Sequence, residues 1–193
     1  MAASDNLPQF TGAVLAGGKS QRMGTDKAFI EVGGTWLITR ALEALSGASQ
    51  RLIVGGTDPK LVKAASAAHA QHVADRWPGE GPLGAVATAL GLANHPVTVI
   101  LPCDLPAIKV DDVAALVQAV RAAPPAAAPL AAVFTDERRH YLPLAVDTSA
   151  AALATRLFES GQRAVASLLD EAAVIDVPAP PLAVADIDSP EDL

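Results

Sequence analysis

The chain has 193 residues, a length that fits a single domain, 1–193, with one sizeable hydrophobic core. Its 14 basic and 21 acidic residues give a net charge of −7, which argues against a general surface for nucleic acid or anionic membranes. Cys103 is the only cysteine, so no internal disulfide can form, and no apolar run approaches the roughly 18 residues of a membrane span. The first residues lack the pattern of a secretory leader. We therefore expect a cytoplasmic protein with no nucleic-acid or membrane partner.

The first predicted element is a short apolar strand, 13–16, that is followed directly by Gly17 and Gly18. Glycines lack the Cβ atoms that would keep a ligand away from the backbone, so the amides of this loop can face an anion. Three basic residues follow closely, namely Lys19, Arg22 and Lys27. This composition is typical of a loop that binds a polyphosphate.

This loop matches neither of two familiar nucleotide-binding patterns. A Walker A loop would need a glycine where Ala13 stands, inside the predicted strand. A dinucleotide-binding loop would need a G-x-G-x-x-G spacing, which Gly17, Gly18 and Gly24 do not have. An ordinary glycine turn before a charged surface loop is the simplest alternative, but the number of coinciding residues favours a phosphate site.

Helix-like and strand-like segments alternate along the rest of the chain. In chain order they are a helix at 37–45, a strand at 51–54, a helix at 61–70, a strand at 72–74, a helix from 82, a strand at 97–101, a helix at 113–120, strands at 130–134 and 141–146, helices at 151–159 and 164–171, and a strand at 174–177. The proline- and alanine-rich stretch 122–130 is predicted to be a surface connection. The charged turn between the strands at 130–134 and 141–146 predicts an antiparallel or mixed element.

This alternation predicts right-handed crossovers between parallel strands, and hence a three-layer α/β/α fold with a mostly parallel, Rossmann-like central sheet. Ligands of such sheets bind outside the carboxyl ends of the strands. Four polar clusters fall at those predicted ends: the loop 17–27, Gly55 with Gly56, Asp75 with the turn at 79–84, and Asp104. The predicted site lies where these clusters meet.

Asp104 directly follows the most apolar predicted strand. A lone carboxylate at a strand end is often a helix cap or a solvated turn residue. A triphosphate bound as its Mg²⁺ complex, however, needs a hard oxygen ligand from the protein, and a carboxylate supplies one. We expect Asp104 to be that ligand rather than a cap.

Asp75 and the turn that follows it form a second candidate contact with a nucleotide. Pro82 suits the first turn of a helix, and the free amides at that helix start, next to Gly81, could contact an anion or a carbonyl. Asp75 has an equally simple structural alternative, in which it ends a strand and accepts hydrogen bonds from the amides of the turn.

Four motifs together resemble the molybdenum cofactor guanylyltransferases. They occur in that family's order: L-A-G-G with R-M-G and D-K near the N-terminus, then G-P-L-G, L-P-C-D-L-P and D-I-D-S-P-E-D-L. The resemblance covers nearly the whole chain and implies a nucleotide-diphospho-sugar-transferase-like fold. Two departures stand out. Where the family typically has an asparagine after its second strand, this chain has Gly55, Gly56 and Thr57, and Asp186 and Asp188 replace two asparagines, as in related cytidylyltransferases.

The resemblance implies an enzyme that transfers GMP from GTP to the terminal phosphate of molybdopterin cofactor and releases pyrophosphate. Arg22, Lys27 and Asp104 are the implied catalytic residues, and Mg²⁺ is the implied cofactor, held by Asp104 with Asp188 as an additional ligand. The implied nucleotide-binding residues are Leu15, Ala16, Gly17, Gly18, Lys27, Gly55, Asp75, Gly81, Pro82, Leu83 and Asp104. Transient contact with proteins of molybdopterin biosynthesis and molybdoenzyme maturation is implied as well.

The C-terminal tail, which contains the D-I-D-S-P-E-D-L motif, suggests a further hypothesis. Asp186 and Asp188 alternate with Ile187, so an extended tail would place both carboxylates on one face, where a chain end returning to the site could offer them to Mg²⁺. Alternatively, Asp188 or Ser189 caps a final helical turn.

Three other functions stay open. The chain could use CTP or a sugar-phosphate acceptor, it could be a phosphotransferase that removes a γ-phosphate, or it could bind GTP without catalysis. Arg138, Arg139 and His140 form a basic tip that is most simply a solvated hairpin turn, although it could also meet an anionic second substrate.

Overall fold

A computed structural model describes residues 9–17 and 27–187. The strands are β1 (Thr11–Leu15), β2 (Glu31–Val32), β3 (Thr35–Trp36), β4 (Gln50–Val54), β5 (Gln71–Val73), β6 (Val97–Pro102), β7 (Leu130–Thr135), β8 (Arg139–Asp147) and β9 (Ala173–Pro178). The helices are α1 (Leu37–Ala44), α2 (Pro59–Ala67), α3 (Pro82–Leu92), α4 (Val110–Ala122), α5 (Ala151–Glu159) and α6 (Ala166–Asp170). Short 3₁₀ turns occupy Lys27–Phe29 and Thr148–Ala150.

Seven of these strands form one sheet in the order β5, β4, β1, β6, β8, β7, β9. Neighbours are parallel from β5 to β6 and again between β7 and β9, whereas β8 runs antiparallel to both of its neighbours. The mostly parallel sheet and the antiparallel pair at the charged turn are therefore both confirmed.

Helices cover both faces of this sheet and form two hydrophobic cores. The pleat of β1 divides its side chains between them, because Val14 packs on the side of α1, α2 and α4, and Ala13 packs on the side of α3, α5 and α6. Ile100 of β6 is fully buried, as expected for a strand covered on both faces. The predicted three-layer fold is confirmed.

Several boundaries differ from the prediction by a few residues, and two differences have a clear local cause. Helix α2 begins earlier, at Pro59, because the side chain of Asp58 caps it by accepting a hydrogen bond of 2.8 Å from the amide of Lys60. A small hairpin, β2 with β3, was not predicted, although Gly33 and Gly34 at its turn, with φ of 58° and 77°, are typical of a tight hairpin.

Parallel strands bring the predicted polar clusters to one edge of the sheet. Leu15, the last residue of β1, pairs with Val54 of β4 on one side and with Pro102 of β6 on the other. The loops that follow these strands therefore begin side by side. No helix in the described part of the chain is long and apolar enough to cross a membrane.

Candidate active site

The centre of the site is an ion pair between Lys27 and Asp104. Lys27 opens the 3₁₀ turn after the N-terminal loop, and Asp104 follows the end of β6. Nζ of Lys27 lies 3.2 Å from Oδ2 of Asp104, and the two side chains are only 19% and 22% exposed. The structure thus brings together two of the three predicted catalytic residues.

The surroundings of Asp104 disfavour its negative charge. Burial raises the pKa of Asp104 above its usual value, the ammonium group of Lys27 opposes that rise, and the carboxylate of Asp186 adds to it. Asp104 is not a helix cap, because α4 begins only at Val110, where the amide of the N-cap residue Lys109 donates to the carboxylate of Asp112. Asp104 is therefore a partly buried carboxylate that needs a cation beside it.

Asp104 could share in holding a magnesium ion. In residues 9–17 and 27–187, no group of three or more histidine, cysteine or acidic side chains is arranged as a ready-made metal site. Mg²⁺ that arrives with a nucleotide commonly takes only one or two protein carboxylates, and phosphate oxygens and waters complete its shell. One desolvated carboxylate beside the predicted phosphate-binding loop fits that arrangement.

The tail returns to this ion pair. The amide of Ile187 donates a hydrogen bond of 3.0 Å to the carbonyl oxygen of Asp104, and the side chain of Ile187 is buried against Ile30 and Leu37. Asp186 is exposed beside it. The predicted return of the tail to the site is confirmed as far as Ile187, and Asp188 lies outside the described residues.

A cavity of about 250 Å³ adjoins the strand ends on the β1 side. Its walls come from the end of β1, the segment after β5 and the first turn of α3, and include Leu15, Gly17, Asp75, Gly81 and Pro82. All five were predicted to bind the nucleotide. Gly18 and Arg22 lie outside the described residues.

Asp75 combines a structural role with a place in the cavity wall. Its Oδ1 accepts a hydrogen bond of 3.1 Å from the amide of Trp77 and lies 3.0 Å from the hydroxyl oxygen of Thr88. The turn role considered from the sequence is therefore present, and the same residue also borders the cavity.

Gly55 packs closely against the backbone of Gly17 at the start of the glycine loop. Its φ is +84°, and a Cβ atom here would lie 3.2 Å from the backbone nitrogen and Cα of Gly17. Its amide donates to the carbonyl of Val73, and its carbonyl oxygen lies 2.9 Å from a ring nitrogen of His72. The backbone of Ala16 is likewise committed, since its amide donates to Val54. Gly55 and Ala16 thus help to fix the backbone at the start of the glycine loop.

Of the amides that were expected to be free at the start of α3, that of Leu83 is occupied, because it donates a hydrogen bond of 3.0 Å to the carbonyl of Arg163. The side chain of Leu83 is fully buried as well. The guanidinium of Arg163 stacks 4.1 Å above the ring of Phe158 and pairs with Glu80 at 3.1 Å. Arg163 therefore holds the start of α3 in place, and no local sequence signal announces a contact over this separation.

Comparison with known proteins defines the family. The sequence pattern of the MobA-like NTP transferase domain matches residues 12–174. The chain belongs to this family. Its ion pair and cavity are thus features of a nucleotidyltransferase domain.

Several curated relatives of this NTP transferase domain are named as molybdenum cofactor guanylyltransferases. A "Probable molybdenum cofactor guanylyltransferase" of Carboxydothermus hydrogenoformans is 38% identical over 101 residues, which cover 52% of this chain and 49% of that protein. A molybdenum cofactor guanylyltransferase of Syntrophotalea carbinolica is 32% identical over 111 residues, covering 58% and 51%. The chain spans about half the length of the curated relatives it matches.

Solved structures share the fold of this NTP transferase domain. Molybdopterin-guanine dinucleotide biosynthesis protein A of Archaeoglobus fulgidus superposes with a TM-score of 0.75 at 22% identity, over 94% of both chains. A 2-C-methyl-D-erythritol 4-phosphate cytidylyltransferase of Thermus thermophilus superposes with a TM-score of 0.68 at 18% identity, over 93% of both chains. The nucleotide-diphospho-sugar-transferase-like fold is thereby confirmed.

Proposed function

We propose that this domain transfers GMP from GTP to the terminal phosphate of molybdopterin cofactor and releases pyrophosphate. The observation that carries the proposal is the largely buried pair of Lys27 and Asp104 at the carboxyl edge of the sheet, the same edge at which the cavity of about 250 Å³ lies. The curated relatives named as guanylyltransferases support this choice of substrates.

In this proposal the nucleoside of GTP occupies the cavity next to Gly17 and Asp75, and its phosphates extend past Gly17 toward Lys27. Gly17 has no side chain to block this approach, and it lies at the border of the cavity. The ammonium group of Lys27 balances the carboxylate of Asp104 while no nucleotide is bound. When the triphosphate arrives, the same ammonium can donate to phosphate oxygens and stabilise the charge that grows on the leaving pyrophosphate.

Asp104 would hold Mg²⁺ together with the phosphates, and Asp188 is proposed as an additional ligand. Bound there, Mg²⁺ would neutralise phosphate charge as a Lewis acid. The burial of Asp104 makes a nearby cation favourable, as the direction of its pKa shift indicates.

The reaction is an in-line displacement at the α-phosphorus. An oxygen of the acceptor phosphate forms the new bond to phosphorus while the bond to the β-phosphate oxygen breaks, and pyrophosphate leaves with that electron pair. A phosphate monoester is already ionised at neutral pH, so no general base is required. The protein contributes positioning and charge stabilisation, for which Lys27 and Arg22 are the proposed residues.

CTP is the second candidate nucleotide. Gly55 stands where an asparagine is expected for the guanylyltransferases, and its backbone groups are both occupied within the fold. A cytidylyltransferase also shares the fold at a TM-score of 0.68.

Release of pyrophosphate from GTP and from CTP, each with molybdopterin and Mg²⁺, tests this proposal. We expect release with GTP that depends on the acceptor. Release with CTP but not with GTP would show that the protein is a cytidylyltransferase. Release of orthophosphate instead of pyrophosphate would contradict nucleotidyl transfer altogether.

A further inference from the structure

A second, larger cavity of about 690 Å³ lies between the turn joining β7 to β8 and the returning tail. The turn contributes Asp136, Glu137 and Arg138, β8 contributes His140, and the tail contributes Asp186. Its volume is in the range of cavities that bury small-molecule ligands. None of these side chains takes part in the proposed binding of the nucleotide.

The cavity opens at the same edge of the sheet as the ion pair. Strand β8 is antiparallel to β6, and Ile100 near the end of β6 pairs with Leu144, so the start of β8 extends beyond this pair toward the carboxyl edge. Asp186 borders the cavity, and the amide of the next residue, Ile187, donates a hydrogen bond of 3.0 Å to the carbonyl oxygen of Asp104. Asp186 therefore lies between the cavity and the proposed site of phosphoryl chemistry.

Two neighbouring arginines at this turn have different surroundings. Arg139 makes a bidentate pair with Asp176 of β9, with N–O distances of 2.8 and 2.7 Å, and does not line the cavity. Arg138 lines the cavity, and its guanidinium makes no hydrogen bond to the described residues, although its backbone amide donates to Asp136. Its planar donor fork is available to a ligand.

Acidic side chains in the cavity wall counterbalance the positive charge of Arg138. Glu137 and Asp186 are exposed, and Asp136 already accepts from the amide of Arg138 and from a ring nitrogen of His140 at 3.0 Å. A cavity with this mixed lining repels a bare polyanion. It suits a flat heterocycle that presents neighbouring N–H donors to a carboxylate and a carbonyl or ring nitrogen to a guanidinium.

We propose that this cavity binds the pterin ring of the acceptor, with Arg138 donating to the ring's carbonyl and a carboxylate of Glu137 or Asp186 accepting from its amino and ring N–H groups. This inference rests on the proposed function, because it assigns a place to the acceptor of that reaction. A pterin held here would leave its phosphate-bearing side chain directed past Asp186 toward Lys27 and Asp104. Arg138 is then a specificity-determining residue.

Arg138→Ala and Arg139→Ala form a matched pair for a kinetic test. In the steady-state transfer reaction, Arg138→Ala should raise the KM for molybdopterin about tenfold, as expected for a lost hydrogen bond to a charged group, and should leave the KM for GTP unchanged. Arg139→Ala should change neither constant. An unchanged acceptor KM in Arg138→Ala, or equal increases in both variants, would overturn the assignment.

Binding of a fluorescent probe, 6-hydroxymethylpterin, separates this inference from the reaction. The Kd for this probe, measured from the quenching of its fluorescence by the protein, should rise about tenfold in Arg138→Ala and should stay unchanged in Arg139→Ala. This result would support the cavity assignment even if no pyrophosphate were released from GTP. No binding of the probe by the parent protein, or equal binding by both variants, would contradict the cavity assignment while leaving the nucleotide assignment intact.

Discussion

Nζ of Lys27 and Oδ2 of Asp104 lie 3.2 Å apart although 77 positions separate the two residues in the sequence. This contact joins the loop after β1 to the loop after β6, two segments that the parallel sheet places side by side. It also positions an ammonium group and a carboxylate where the substrate's phosphates are proposed to bind. The pair is therefore the natural first target for mutation.

Lys27→Ala should lower the rate of pyrophosphate release by about a hundredfold or more, because it removes the proposed charge stabilisation of the phosphates. The fold should persist, since the residue is partly exposed. Lys63→Ala, a change of an exposed lysine on α2, is the control and should leave the rate unchanged. Parental activity in Lys27→Ala would show that this lysine does not act on the phosphates.

Asp104→Asn should abolish Mg²⁺-dependent turnover, because a neutral amide is nearly isosteric but a much weaker ligand for Mg²⁺. Titration of activity with Mg²⁺ measures the effect. Full activity of the Asn variant at the parent's Mg²⁺ concentration would remove Asp104 from the metal site.

The same substitution should stabilise the metal-free protein. Burial raises the pKa of Asp104 above 3.8 in the folded state, so the folded protein binds this proton more tightly than the unfolded chain does. The resulting contribution to stability is present at low pH and is lost as the pH rises through the raised pKa. In chelator at neutral pH, Asp104→Asn should therefore have a higher Tm than the parent, and the difference should shrink as the pH falls toward 3.8.

Asp111→Asn is the control for this stability measurement. Asp111 is exposed in the first turn of α4, where a negative charge favours the helix, so its neutral variant should have an equal or slightly lower Tm. A lower Tm for Asp104→Asn than for the parent at neutral pH would mean that the ion pair with Lys27 outweighs the cost of burial.

Arg40 is expected to hold the two halves of the site together. From α1, one terminal nitrogen of its guanidinium donates to the carbonyl of Val32 at 2.6 Å and the other to the carbonyl of Pro106, just beyond Asp104, at 3.4 Å. Arg40→Met should lower the free energy of unfolding by about 2 kcal/mol and should also reduce turnover. Denaturant unfolding and pyrophosphate release measure the two effects.

Arg156→Met is the matched control for Arg40, because among the described residues the guanidinium of Arg156 makes only an exposed pair with Glu171. Exposed ion pairs contribute little to stability, so the free energy of unfolding of this variant should fall by less than about 1 kcal/mol, and its activity should be kept. Equal losses of unfolding free energy and of turnover in the two variants would show that Arg40 does not hold the two parts of the site together.

Gly55→Ala and Gly91→Ala should have opposite effects on stability. At Gly55 a Cβ would be strained by the positive φ of +84° and would press on the backbone of Gly17, so we expect a loss of about 1–3 kcal/mol and weaker nucleotide binding. In the described structure no atom lies within 4 Å of a Cβ at Gly91, within α3, so alanine should stabilise the helix by about 0.5–1 kcal/mol. A neutral Gly55→Ala would contradict the close packing of the two loops.

Much of the fold could be predicted because the relevant signals are local. The apolar run of β6 predicted a central strand, and the strand-end rule then placed Asp104 at the edge where ligands bind. The pairing of Lys27 with Asp104 could not be derived in this way, because it depends on which loops the finished sheet brings into contact.

The supporting residues of the site were missed for the same reason. Arg163 holds the amide of Leu83, and Arg40 bridges Val32 and Pro106, through contacts that exist only in the folded chain. Neither arginine lies in a motif. The hairpin at Gly33 and Gly34 is different, because its paired glycines were a usable local signal.

Transfer of the α-phosphorus is the most direct test of the central claim. GTP labelled at the α-phosphorus should be incubated with molybdopterin, Mg²⁺ and the protein, and the products should be separated. The label should appear in a dinucleotide that joins GMP to the acceptor phosphate, whereas label placed at the γ-phosphorus should appear in pyrophosphate. Label from the γ-position in the acceptor, or no α-label in any product of the acceptor, would contradict guanylyl transfer.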